Sequence, residues 1–215
     1  MNPLIYITFI AVSFIASLSV YFYERISVYL RLFPLFLLIT LIVELIGLHY
    51  SNQGKPPIPL YNFFGVFEFL FYMYVLREII QSKTVKKIIL HTAWLYVLMV
   101  AVNFIFIQPI TSFGSINYAL SCLLITIICI YYFFELFQSS HSVNLVRQPA
   151  FWICAGLLFF YCCTFPVFGM LNFLKKAPDI IRKNFQFIIL LLNVFLYSSF
   201  TIAFLCRIRA RNSTS

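Results

Sequence analysis

Residues 32–50 read LFPLFLLITLIVELIGLHY, an unbroken apolar run that carries one acid, Glu44, and neither lysine nor arginine. A helix of about twenty such residues crosses a hydrocarbon core of about 30 Å. An ionised carboxylate inside that core costs roughly 2.5–3.5 kcal/mol on insertion scales. An acid kept there therefore faces a bundle interior or a cavity and serves an ion, a proton or a ligand. A second acid, Glu68, lies in the middle of the next apolar run, 60–79. Two acids in neighbouring candidate spans set both the fold class and the first place to look for function.

The same pattern extends over the whole chain. Of its 215 residues 63% are hydrophobic and 10% charged, too little polar surface to cover a soluble globule of that size. Apolar runs occupy about 4–23, 32–50, 60–79, 88–107, 114–137, 150–172 and 185–206, each near the length of one crossing. The expectation is an all-α integral membrane protein of seven transmembrane helices in a single domain, multi-pass, with the lipid bilayer as its first partner. Met1, Asn2 and Pro3 supply no basic residue ahead of the first run, which is read as a retained span rather than a signal peptide. The linkers are short, so no soluble domain is expected between spans.

The formal net charge of +9 is read as a record of orientation rather than of nucleic-acid binding. With the amino terminus outside, Arg25, Arg31, Arg77, Lys83, Lys86, Lys87, Arg147, Arg207, Arg209 and Arg211 fall on the cytoplasmic side. Lys55, Lys175, Lys176, Arg182 and Lys183 fall outside. The excess inside favours amino terminus out and carboxyl terminus cytoplasmic, in a bacterial inner membrane. Residues 175–183 run against the trend and are read either as lying on the anionic outer surface or as a place where the topology departs from this assignment. Five of the six cysteines fall within spans and show no C-x-x-C spacing, which fits small apolar packing residues.

Polar residues within the spans are sorted by face. At 100° per residue, Thr40, Glu44, Gly47 and Ser51 fall within about 60° of one another, as do Tyr61, Gly65, Glu68 and Tyr72. The fourth span carries Thr92, Tyr96 and Asn103, the fifth Asn117, Ser121, Tyr131 and Glu135, and the seventh Gln186, Asn193 and Tyr197. At a rise of 1.5 Å per residue, Glu44 lies roughly 9 Å below the outer boundary, Glu68 and Asn193 roughly 12 Å, and Asn103 roughly 6 Å. Asn117 is shallower and His49 sits near the outer rim. The expectation is an outward-facing intramembrane cavity in which Glu44 and Glu68 accept a proton or a cationic group. Asn103, Asn117, Asn193, Tyr72, Tyr197 and His49 complete the set of candidate ligand residues. Against this stands a structural reading, because amides and hydroxyls in bundles also serve as interhelical hydrogen bonds worth about 0.6 kcal/mol each.

Short segments recur along the chain. Tyr21-Phe22-Tyr23-Glu24 parallels Tyr132-Phe133-Phe134-Glu135, Arg31 and Pro34 parallel Arg147 and Pro149, and the residues 68–72 parallel 193–197. Such a repeat divides the chain into three helices, a linking helix and three more helices in parallel halves. That plan resembles the SWEET and PQ-loop transporters, which share this size and seven spans. The resemblance implies a small-solute path between the halves, with Glu68 and Asn193 facing each other across it. The chain departs from that family in having Gln108-Pro109 and Gln148-Pro149 but no Pro-Gln dipeptide, and in lacking prolines at the expected places in the first, third and fifth spans.

Other seven-helix chemistries are excluded by residue type. No lysine lies in 185–206 to form a retinal Schiff base. Haem held by two histidines lacks a second span histidine to pair with His49 or His91. No cofactor or metal is expected. Neither H-E-x-x-H nor G-x-S-x-G occurs, so the residues favour an enzyme least. The leading expectation is binding and transport of a small polar solute or proton. The alternative is a sensor that signals to a separate cytoplasmic or membrane protein through the basic loop between Arg77 and Lys87.

Overall fold

The computed structural model describes residues 4–22, 26–138, 145–169 and 179–211, with side chains omitted at 179–183 and 207–211. Within these residues the protein is all-helical, without strands, and seven helices are long and apolar enough to cross a membrane. They are α1 (Leu4–Leu18, continued by a 3-10 turn Ser19–Phe22), α2 (Val28–Asn52), α3 (Ile58–Ile79), α4 (Lys83–Phe106), α5 (Ser115–Gln138), α6 (Pro149–Gly169) and α7 (Asp179–Arg211). Such a composition is compatible with a polytopic membrane protein. Tyr23, Glu24, Arg25, His141, Lys175 and Lys176, together with the side chains of Arg182, Lys183, Arg207, Arg209 and Arg211, lie outside the described residues.

The helix boundaries follow from local chemistry. Gly54, at φ 73°, turns the chain after α2, a left-handed conformation in which only glycine is free of Cβ strain. Proline follows at 56 and 57, and α3 begins with Pro59 in its first turn, where a missing N–H costs nothing. Ser82 caps α4, its hydroxyl accepting from the Val85 N–H at 3.5 Å. The Glu135 carboxylate on α5 reinforces that start, accepting the Gln81 and Ser82 N–H groups at 2.8 Å each. Two otherwise orphaned donors are thereby satisfied by one side chain from another helix.

Contacts between helices run in a closed cycle: α1 packs on α2, α2 on α3, α3 on α5, α5 on α6, α6 on α7 and α7 back on α1. The fourth helix stands outside this ring, packed on α3 and α5. Gly156 permits close packing of α6 on α7, since a Cβ there would lie 2.9 Å from the Ser199 Cβ. The outer faces carry large apolar side chains such as Trp94, Leu98 and Ile105.

The two ends of the ring are filled differently. Toward the α1–α2 and α3–α4 linkers, Phe33 lies fully buried with its ring centroid 5.1 Å from Phe71, 5.3 Å from Phe200 and 5.6 Å from Phe204. Phe36 stacks on Phe71 at 4.0 Å and meets Tyr72 at 5.2 Å. Edge-to-face and stacked pairs of this kind each add about 0.5–1.5 kcal/mol beyond the area they bury. Toward the start of α1 and the α2–α3 linker, the ring is hollow.

Candidate functional site

The hollow end holds a cavity of about 500 Å³ lined by residues from every helix of the ring. Glu44 and Glu68 both face it, from α2 and α3. The seventh helix contributes Gln186, Ile189, Leu190, Asn193 and Tyr197, positions on one helical stripe. Rings from α1, α3, α5 and α6 close the remaining walls. Among the described lining residues there is no lysine, arginine or histidine.

The two acids are held differently. Glu44 Oε2 accepts the Tyr6 hydroxyl at 2.8 Å and the Tyr61 hydroxyl at 3.1 Å. Both phenols come from helices that run antiparallel to α2, so the start of α1 and the start of α3 converge on one oxygen. Gly47, one turn beyond Glu44, makes this possible. A methyl group at position 47 would overlap the Tyr61 hydroxyl and lie 2.8 Å from its Cζ.

Glu68 keeps accessible surface toward the cavity. The Tyr72 and Tyr161 hydroxyls face its carboxyl from beneath, yet no hydrogen bond of standard geometry closes on it. Tyr72 is 0% exposed, and the Glu68 carboxyl is the group its hydroxyl faces, outside standard hydrogen-bond geometry. Its ring lies 5.9 Å from that of Tyr161, and the two phenols form the floor above the aromatic packing of the opposite end. Asn193 turns one Nδ2–H back to the Ile189 carbonyl at 2.9 Å, which leaves its second N–H and its carbonyl oxygen toward the cavity.

The sequence-derived candidates separate into three groups. Glu44, Glu68, Asn193 and Tyr197 line the one cavity, and Tyr72 lies directly below Glu68. Asn103 and Asn117 are instead bonded to each other, Asn103 Nδ2 donating to Asn117 Oδ1 at 3.0 Å and to Gln108 Oε1 at 3.1 Å. Neither lines the cavity. The reason is the position of α4: outside the ring, its polar stripe meets α5 and not the interior. His49 is exposed, its ring nitrogen 2.9 Å from Gln53 Nε2, and stands away from both groups.

Several residues that shape the cavity give weak signals in the sequence. Tyr6 passes as an interfacial aromatic, although its hydroxyl reaches the Glu44 carboxyl. Tyr118, Phe113, Phe160 and Phe168 are indistinguishable from lipid-facing rings in a chain with 27 Phe and 14 Tyr. Asn62 sets the adjoining loop: its Nδ2 donates to the Ile110 and Ser112 carbonyls at 2.8 Å each, and its Oδ1 accepts from the Gly114 N–H at 3.0 Å. That clamp fixes Phe113 at the cavity wall. The groups present are suited to holding a solute: acceptors at two heights, phenols and amides between them, and apolar walls. No cluster of His, Cys, Asp or Glu among the described residues has the arrangement of a metal site. In comparisons with protein families, with curated proteins and with solved structures, the chain matches none.

Proposed function

We propose that this is a seven-helix membrane protein that binds a small polar solute or a proton in the cavity and carries it across the bilayer. The observation that supports the reading is one cavity holding two carboxylates from adjacent helices, with Glu68 uncommitted at its floor. Glu44 is braced by two phenols and sets the field near the entrance, while Glu68 is the group that exchanges its partner. Under the excess of basic residues at the other end, the cavity opens outward, with the amino terminus outside and the chain in the cytoplasmic membrane of a bacterium. The cycle of helix contacts, with α4 outside it, also suits two parallel halves joined by a linking helix, in which Glu68 and Asn193 occupy corresponding third-helix positions.

Transport on this plan requires the aromatic packing around Phe33 and Phe36 to open as the outer end closes, alternating access by one half moving against the other. Purified protein in proteoliposomes is expected to show solute-dependent proton movement that Glu68→Gln abolishes. Unchanged movement in that variant overturns the transport reading.

A second reading is favoured by the opposite end. There Glu135 has both oxygens committed to backbone N–H groups, and the ring below Glu68 is closed by fully buried aromatic and aliphatic side chains. A sensor needs only the open cavity and a surface for a partner protein, and the basic stretch from Arg77 to Lys87 is that surface. Solute binding that depends on Glu68 without any flux selects the sensor.

A further inference from the structure

We infer that the solute is an organic cation, recognised by the carboxylates of Glu44 and Glu68 together with a cage of aromatic rings; this rests on the proposed solute-binding role and names the chemical class it serves. The first argument is charge. The two carboxylic acids are the only lysine, arginine, histidine, aspartate or glutamate side chains among the described lining residues, so an anionic solute would meet two groups that repel it and, among those residues, no cation to pair with.

The second argument is the wall. Eight of the lining residues are Phe or Tyr, supplied by α1, α3, the α4–α5 linker, α5, α6 and α7. A sugar-sized neutral solute would require many donors and acceptors here, yet beyond the Tyr6 and Tyr61 phenols already given to Glu44 the polar groups on the described wall number few: the Asn193 amide, Gln186 and the Tyr118 and Tyr197 hydroxyls. Aromatic faces beside carboxylates suit an alkylated ammonium, whose charge is spread over methyl groups that pack against rings while the acids supply the counter-charge. Tyr118 and Phe168 show the construction, two lining rings packed 4.2 Å apart and tilted 53° to each other. A volume of about 500 Å³ lies within the usual range for small-molecule sites.

The third argument is the floor. The fully buried Tyr72 hydroxyl, beside that of Tyr161, is set against the carboxyl of Glu68. It steadies that carboxyl from below without capping the side that faces the cavity. The carboxylate that meets the solute is therefore positioned by phenols beneath and left open above. Glu44, already accepting two hydroxyls on one oxygen, is the more saturated acid and acts at longer range.

The test compares matched probes on the unaltered full chain in nanodiscs, by calorimetry and thermal shift. Tetramethylammonium, choline and benzyltrimethylammonium are each paired with a neutral tert-butyl counterpart of the same shape, 3,3-dimethyl-1-butanol in the case of choline. At least one cation is expected to bind about tenfold or more tightly than its neutral counterpart. Glu68→Gln is expected to remove that ratio, and Phe160→Leu to reduce it while leaving Glu68 in place. Because the ratio is read on wild-type protein, a variant that fails to fold does not decide the outcome. Equal binding of cations and counterparts overturns the inference and leaves solute binding standing. Binding confined to neutral polar solutes such as glycerol or glucose does the same. Absence of binding by every probe, charged and neutral, overturns the inference and the solute-binding reading together.

Discussion

Glu68 and Glu135 are the same side chain on two helices that pack against each other, α3 and α5, and the protein uses them in opposite ways. The oxygens of Glu135 are each bonded at 2.8 Å to a backbone N–H at the start of α4. Those of Glu68 meet no donor in standard geometry and look into a cavity. The contrast repeats at the level of the ring. Around Phe33 the interior is solid with interlocked rings, and around Glu68 it is hollow. An acid within an apolar helix thus carries no fixed meaning; what decides its role is whether the surrounding backbone has already taken its lone pairs.

This contrast can be broken from the solid end first. Phe33→Ala removes a ring in contact with four others and is expected to lower stability by about 3–5 kcal/mol, measured by reversible unfolding in mixed micelles. Solute affinity per folded molecule should not change; a parallel loss of affinity would show that the two ends do not act separately. Next in size, Glu135→Ala leaves the Gln81 and Ser82 N–H groups without their acceptor, at about 1.5–3 kcal/mol. Hydrogen exchange should then rise in the first turn of α4, whereas Glu68→Ala should leave that turn untouched.

The smallest expected effect sharpens the contrast within the hollow end. Gly47→Ala drives the Tyr61 ring away from α2, at about 1–3 kcal/mol of overpacking, and breaks one of the two bonds to Glu44. Adding Tyr61→Phe removes the nearest overlapping atom, so the double variant should recover part of the stability. No recovery would mean that the clash is relieved by moving the helices rather than the ring.

The number and placement of the helices were legible because apolar length is a direct physical requirement of a crossing, and each of the seven runs overlaps a helix. The stripes on α3 and α7 were legible for the same kind of reason: a period of 3.6 brings Tyr61, Gly65 and Glu68, or Gln186, Asn193 and Tyr197, to one face. Periodicity says which face is polar but not which neighbour that face meets. The stripe of α4 looks like the others in the sequence, yet α4 lies outside the ring, and its Asn103 pairs with Asn117 beyond the cavity wall. Tyr6 was hidden for the converse reason. Its hydroxyl matters only because two helix starts converge on Glu44, a fact of packing that no local pattern records.

The clamp at Asn62 also bears on how the chain reaches this form. Its three bonds join residues 48 to 52 positions apart, so during synthesis α3 is made well before the loop that completes it. Until α4 has crossed and the chain has returned, the Asn62 amide sits at a helix start with only water or headgroups to answer it. Closure of those bonds then comes as the α4–α5 hairpin docks, and it sets Phe113 in place at the same moment. The cavity wall is in this sense a product of insertion order: its Phe113 side is set when the fifth helix arrives, the sixth and seventh helices close the chamber, and a chain stalled earlier would have the acids of α2 and α3 but no chamber around them.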